Sequence, residues 1–166
     1  MMQSQGKKPK ILFTLCFITC NESILMLNRQ YPPWMGKWNG LGGKIEHGET
    51  PQKGIIREVC EESGILLPSV TDKGIVRWTD NGVETGGMYL YLAIMPNNQQ
   101  LKTPQKVAEG VLDWKWISWV LHQENQGIAD NVPFFLPKML YDSRRYEHFC
   151  SYENGTIANF RSKLMR

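Results

Sequence analysis

Apolar positions fall into three patterns along this chain, and each predicts a different element. Residues 10–20 and 23–30 are almost continuously apolar, which predicts a hairpin whose strands are covered on both faces. Other stretches alternate: Leu112, Trp114, Trp116 and Ser118 share one face of a strand predicted over Leu112–Trp119. Strands are also expected at Ser69–Thr79 and Glu84–Met95, on either side of the turn signal Asp80-Asn81-Gly82. The third pattern is helical. Thr50 followed by Pro51 reads as an N-cap with proline at the first helical position, so a helix should run from Pro51 to Ser63 and stop at Gly64. A second helix is expected around Pro133–Arg145. Beyond it, Tyr146–Tyr152 and Thr156–Arg161 read as strands meeting at Asn154-Gly155. Gln30–Gly36 and Pro96–Thr103 read as loops. Many strands with two helices, not in regular alternation, predict an α+β fold. The expected organisation is one domain over residues 1–166, with residues 1–9 mobile and residues 146–166 a C-terminal hairpin and tail.

Composition changes this picture in three ways. At 166 residues and 42% hydrophobic content the chain can build a real core, which excludes a disordered tail, a collagen-like fibre or a disulfide scaffold. The four cysteines, Cys16, Cys20, Cys60 and Cys150, form no C-x-x-C pair; three lie in or beside apolar runs, and the expectation is a cytoplasmic protein without disulfides. The basic start followed by Ile11–Cys20 imitates a secretory signal, but a polar Asn21-Glu22-Ser23 and a second apolar run at hairpin distance favour two strands. Neither run approaches the roughly 20 residues needed to span a bilayer, so no membrane partner is expected. A net charge of +3 supplies no basic stripe for a nucleic-acid polymer, though it admits a small anionic ligand. That charge is unevenly placed: residues 43–65 hold five acids against three bases, leaving the remainder at +5.

The predicted first helix explains where those acids go. At ~100° per residue, Ile55, Val59, Ile56 and Cys60 form one arc, and Arg57, Glu61, Glu58 and Glu62 form the other. Three carboxylates at i, i+3 and i+4 are poorly placed for stability. Glu58 and Glu62 repel at about 0.2–0.5 kcal/mol, and Glu61 and Glu62 oppose the helix dipole in the last turn. A divalent cation would reverse both effects, and hard carboxylate oxygens suit Mg²⁺ or Mn²⁺. Arg57, four residues before Glu61, can orient that carboxylate.

This segment resembles the Nudix box, G-x5-E-x7-R-E-U-x-E-E-x-G-U, where U is aliphatic. Gly43, Glu49, Arg57, Glu58, Val59, Glu61, Glu62, Gly64 and Ile65 fill every fixed position. The resemblance implies the Nudix fold, a mixed sheet sandwiched between helices, and hydrolysis of a nucleoside diphosphate linked to another group. It implies that Glu58, Glu61 and Glu62 bind metal with the Gly43 carbonyl as a further ligand. It also implies that Arg57 orients the cluster, Glu49 supports the loop-helix geometry, and water attacks phosphorus with metal assistance. Glu109, five residues before Trp114, is a candidate distal metal ligand or base, or an exposed loop acid.

The run Trp38-Asn39-Gly40-Leu41-Gly42-Gly43-Lys44 is similar to W-N-G-F-G-G-K in the MutT-type oxidised-purine nucleoside triphosphatases. That likeness makes Asn39 and Trp38 candidate base readers, since an amide both donates and accepts; the alternatives are core packing for Trp38 and a turn beside Gly40 for Asn39. Lys44 and Arg29 are candidates for the triphosphate. Asp130-Asn131 before Val-Pro-Phe-Phe-Leu-Pro is similar to a segment where two acids read the purine. Here one acid is an asparagine, so either residue could read the base, or both could cap the following helix. Trp34, in the Pro-Pro loop, is a candidate stacking residue; Trp114, Trp116 and Trp119 are expected in the core. The implied activity is Mg²⁺-dependent conversion of nucleoside triphosphates, such as 8-oxo-dGTP, to monophosphate and pyrophosphate. A Nudix hydrolase for a nucleotide sugar, dinucleotide or RNA 5′ end, and a non-catalytic nucleotide-binding Nudix module, are the alternatives. The oligomeric state is open.

Overall fold

The computed structural model describes residues 8–166. Its strands are β1 (Phe13–Cys20), β2 (Ser23–Arg29), β3 (Trp38–Asn39), β4 (Thr71–Asp80), β5 (Val83–Ile94), β6 (Gln105–Val107), β7 (Gly110–Trp116), β8 (Tyr146–Glu153) and β9 (Thr156–Leu164). They join in one sheet in the order β6-β7-β2-β1-β5-β4-β8-β9, with β3 paired to β2. β1 with β5 and β4 with β8 are parallel; the other pairs are antiparallel. The helices are α1 (Pro51–Ser63), α2 (Ile117–Val120) and α3 (Val132–Tyr141). The expectation for residues 1–9 falls largely on residues 1–7, which lie outside the described residues.

The continuous apolarity of the first two strands has the anticipated cause. Leu15, Phe17, Ile24 and Met26 face one way, against Phe135, Leu136 and Met139 of α3. Cys16, Ile18, Leu25 and Leu27 face the other way, against Ile55 and Val59 of α1. Successive side chains on a strand point to opposite faces, so a sheet sandwiched between helices needs both sets apolar. The α1 caps also form as expected. Thr50 Oγ1 accepts from the Lys53 N–H at 3.2 Å, and Gly64 takes φ +76° with its N–H on the Cys60 carbonyl. Asn81-Gly82 and Asn154-Gly155 have positive φ at both positions, as two-residue hairpin turns require.

Two element ends and the placement of two tryptophans need correction. The strand predicted to Trp119 ends at Trp116 and gives way to the helical turn α2. Period-2 extrapolation fails there, leaving Trp116 62% and Trp119 40% exposed rather than in the core. Trp114 is half-buried, its indole N–H donating to the Leu101 carbonyl at 2.8 Å. The helix expected to Arg145 stops at Tyr141, where Asp142 Oδ1 instead accepts from the N–H of Arg144 at 3.0 Å. The terminal hairpin is an integral part of the sheet, since β8 runs parallel to β4 from Gly74↔Tyr146 to Asp80↔Tyr152. Among the described residues no helix is long and apolar enough to cross a membrane. All four cysteines are free thiols.

His148 records how tightly this hairpin is packed. It has no exposed surface and stacks between Tyr146 and Phe160, at 5.9 and 5.7 Å, with Nδ1 2.7 Å from the Ser162 hydroxyl. Burial, then the positive charge of Lys138, pulls its pKa down to about 4. The unfolded chain therefore takes up this proton first, near pH 6.5, and the folded chain only near pH 4. Stability should be full above pH 6.5 and fall by up to about 3 kcal/mol as the pH drops to 4. Comparing pH–Tm profiles should show that His148→Phe flattens that part of the curve; an unchanged slope would contradict the assignment.

Candidate active site

The segment Gly40–Gly43 lies directly on β1. Cys16 and Leu41 exchange N–H to carbonyl bonds at 2.7 and 3.0 Å, and the Thr14 N–H donates to the Gly43 carbonyl at 2.9 Å. This approach leaves no room for side chains. A Cβ on Gly42 would stand 2.0 Å from the Thr14 carbonyl oxygen, and one on Gly40 2.6 Å from that of Cys16. A Cβ on Gly43 would stand 2.5 Å from the Glu58 carboxyl carbon. Gly43 is therefore where the α1 carboxylates meet the strand side of the fold.

Arg57 organises the acids beside it. Its Nε and Nη2 donate to the two oxygens of Glu49 at 2.8 and 2.9 Å, a bidentate pair. Nη1 donates to Glu58 at 3.0 Å and Glu61 at 3.2 Å, and Nη2 also reaches the Lys44 carbonyl at 3.0 Å. All five guanidinium N–H bonds are thus used. The Arg57 bonds, helped by the Glu46 N–H, hold the Glu49 pKa down at about 2. Gly54, costly in a helix interior, is explained by the same network, because a Cβ there would meet Glu49 Oε1 at 2.8 Å.

The remaining acids are electrostatically uncomfortable. Glu62 is only 6% exposed, and its Oε2 has no hydrogen-bond partner. Burial, then the charges of Glu58 and Glu109, raises its pKa to about 8. Glu58 is raised too, first by burial and last by Glu61 and Glu109. The structure therefore brings Glu109 within influence of both α1 acids. Among the described residues no three acidic, histidine or cysteine side chains are gathered closely enough to chelate one ion as they stand. Arg57 holds Glu58 and Glu61 instead. The donor set still fits a hard divalent cation: an orphaned carboxylate oxygen on Glu62, the Glu58 carboxylate in the space a Gly43 Cβ would fill, and excess negative charge. The Gly43 carbonyl is the least available expected ligand, because it also accepts the Thr14 hydroxyl at 3.3 Å.

On the other side of Gly43 lies a cavity of about 460 Å³, lined by Phe13, Arg29, Trp34, Asn39, Trp78, Met88, Asn131 and Tyr152 among others. Five anticipated residues reach it: Arg29, Trp34, Asn39, Gly43 and Asn131. Trp34 has φ +65°, uncommon for a bulky residue, in a loop where Arg29 Nε donates to the Pro33 carbonyl at 2.7 Å. Trp38 does not line the cavity. It packs against the α3-side core, and its ring is covered by Lys115 Nζ at 4.4 Å. Lys44 lines the carboxylate cleft with Lys10, His47 and Arg57. Asn131 makes no side-chain cap bond to α3, so capping does not explain it. Asp130 accepts from the Tyr152 hydroxyl. Four of the named wall residues, Phe13, Trp78, Met88 and Tyr152, were not anticipated. A signal for Trp78 was the Gly86-Gly87 pair: a Cβ on Gly86 would stand 3.2 Å from the indole, so glycine there lets the ring lie along β5.

Comparison with known proteins decides the family. The model of the NUDIX domain matches residues 12–135, about three quarters of the chain. The chain belongs to the Nudix family. It is 35% identical to the oxidized purine nucleoside triphosphate hydrolase of Mus musculus over 63 residues, 38% of this chain and 40% of that protein. It is 30% identical over 105 residues to an uncharacterized Nudix hydrolase of Bacillus subtilis (strain 168), 61% of this chain and 63% of the relative. The match thus spans less than two thirds of either relative. The crystal structure of the MutT protein from Bacillus halodurans superposes with a TM-score of 0.73 at 24% identity, covering 91% of this chain and 96% of that one. That likeness establishes the Nudix fold.

Two of the three glycines between Gly40 and Gly43 should respond differently to a methyl group. Gly42→Ala drives a Cβ into backbone and should cost about 3 kcal/mol, lowering Tm by about 6–12 °C. Gly43→Ala meets only the movable end of Glu58 and should cost less than about 1 kcal/mol. Thermal melts of both variants check this; equal losses would contradict the described seam.

Proposed function

We propose that this Nudix protein is a divalent-metal-dependent nucleoside triphosphate pyrophosphohydrolase acting on oxidised purine nucleotides such as 8-oxo-dGTP, releasing the monophosphate and pyrophosphate. The observation that carries the reading is the meeting at Gly43 of an aromatic-walled cavity sized for a base and a helix of carboxylates. A nucleotide spanning that junction would place its base between Trp34 and Trp78 and its phosphates along Gly43 and Lys44. Asn39 Oδ1 accepts the Gly40 N–H at 2.8 Å, which leaves its NH₂ as a donor for the base edge. Arg29, on the cavity wall, offers its remaining guanidinium N–H groups to phosphate. The named mouse relative supports the substrate class.

In this reading Glu58, Glu61 and Glu62 hold Mg²⁺, or Mn²⁺, with Glu109 beside them. The cation supplies charge neutralisation on the diphosphate and eases attack of water at phosphorus. Arg57 keeps Glu58 and Glu61 at fixed spacing. Glu62, buried and with one carboxylate oxygen unpaired, is held ready as a ligand at a cost in stability, a common trade at functional sites. Lys10, Lys44 and His47 line the cleft on the phosphate side.

A panel of normal and oxidised nucleoside triphosphates, with pyrophosphate detection, tests the proposal. The kcat/KM for 8-oxo-dGTP should exceed that for dGTP by about tenfold or more, within the reach of one added hydrogen bond and its partner. Equal rates would refute the oxidised-base preference. Glu61→Gln should lower kcat by about 100-fold or more while leaving Tm nearly unchanged, because its side chain is 59% exposed. Full Mg²⁺-dependent turnover in that variant would refute the metal assignment.

A further inference from the structure

The C-terminal hairpin reaches into the cavity through one residue. Tyr152 lies on β8, whose parallel pairing with β4 sets Trp78 opposite Cys150 and Asp80 opposite Tyr152. Its ring forms part of the cavity wall, and its hydroxyl donates to Asp130 Oδ1 at 2.8 Å. Asp130 is the residue immediately before Asn131, where α3 begins. Asn131 is 4% exposed, lines the cavity, makes no side-chain cap bond, and its Oδ1 has no partner. An amide oxygen buried in this way costs about 1–3 kcal/mol unless something donates to it.

The two facts are connected through the chain. One hydrogen bond fixes the Asp130 side chain to a strand of the sheet, and the next residue, on the cavity wall, carries a buried acceptor with no partner. Burial raises the Asp130 pKa, and the Tyr152 bond opposes that rise, so the anchor also relieves the cost of a half-buried carboxylate.

We propose that Tyr152 is a positioning residue for base selectivity: by anchoring Asp130 it holds the Asn131 carboxamide oxygen as an acceptor toward the base edge. The ligand class is then a base with an N–H donor on that edge. Asn39 supplies the complementary donor, so a guanine-type edge, N–H beside C=O, satisfies both groups. An unsubstituted purine base offers no donor and leaves Asn131 unsatisfied. This inference rests on the base-cavity reading given under the proposed function.

The test measures kcat and KM separately for dGTP, deoxyinosine triphosphate and the unsubstituted-purine deoxynucleoside triphosphate, with Mg²⁺. The wild-type protein should prefer dGTP to the unsubstituted purine by at least about 50-fold in kcat/KM, since a site built to bond an N–H rejects an analogue lacking it. Tyr152→Phe should reduce that ratio at least about fivefold, through KM for the donor-bearing bases, with kcat changing less than about twofold. Asp130→Ala breaks the same bond from its other end and should produce the same loss. Adding Tyr152→Phe to Asp130→Ala should then change the ratio no further. Additive effects, or an equal fall for all three bases, would overturn the positioning role while leaving the cavity reading intact. A wild-type protein that does not discriminate among the bases, with Asn131→Ala equally indifferent, would overturn the cavity reading itself.

Discussion

Everything in this molecule that bears on function depends on the close approach of residues Gly40–Gly43 to β1. Backbone N–H and carbonyl groups of Thr14 and Cys16 bond directly to Leu41 and Gly43, and no Cβ fits between them at Gly40 or Gly42. Such an approach is available only to glycine. It fixes the start of the loop leading into α1 against the central strand. The carboxylates on α1 and the cavity on the α3 side of the sheet thereby share a border one residue wide. A shift of that border would separate Glu58 from Gly43 and the cavity from the acids together.

Electrostatic order around the border comes from Arg57. A single guanidinium with all five N–H bonds engaged holds Glu49 strongly, and Glu58 and Glu61 on its outer nitrogen. A lysine could not do this, having a point charge and three donors. The network reaches no further than Glu61: Glu62 keeps an oxygen without a partner and a pKa raised by burial. The same helix thus carries one acid bound firmly for architecture and another left in an unfavourable state. That contrast separates Glu62 from the acids that Arg57 holds.

Much of the carboxylate side was legible in the sequence because its geometry is local. Thr50, Pro51 and Gly64 bound the helix by cap chemistry, and a 3.6-residue period sorts Ile55 and Val59 from Arg57 and the glutamates. The Nudix motif then identifies the segment. One refinement came from burial: Glu62 stands about 20° from Ile55 on the helical wheel, so it shares the edge of the apolar arc and is covered with it. The cavity side was read unevenly. Asn39, Asn131, Arg29 and Trp34, expected near the base, line the cavity, whereas Trp38 takes its alternative place against the α3-side core. Trp78 and Tyr152 were not seen, since they lie on neighbouring parallel strands separated by more than seventy residues.

By itself the sequence determined the kinds of element, the two-sided burial of β1 and β2, the glycine turns, and the composition of the acidic helix. These follow from side-chain period, backbone freedom and cap hydrogen bonds, all acting within a few residues. Only the tertiary structure decided that the C-terminal hairpin extends the sheet beside β4, that Trp116 and Trp119 stay in solvent, and that Tyr152 meets Asp130. Those outcomes depend on strand order and register, which arise from contacts between distant segments competing for the same sheet edge and the same apolar face. No local pattern encodes that competition, and its result is what turns an acidic helix and a scatter of aromatics into one site.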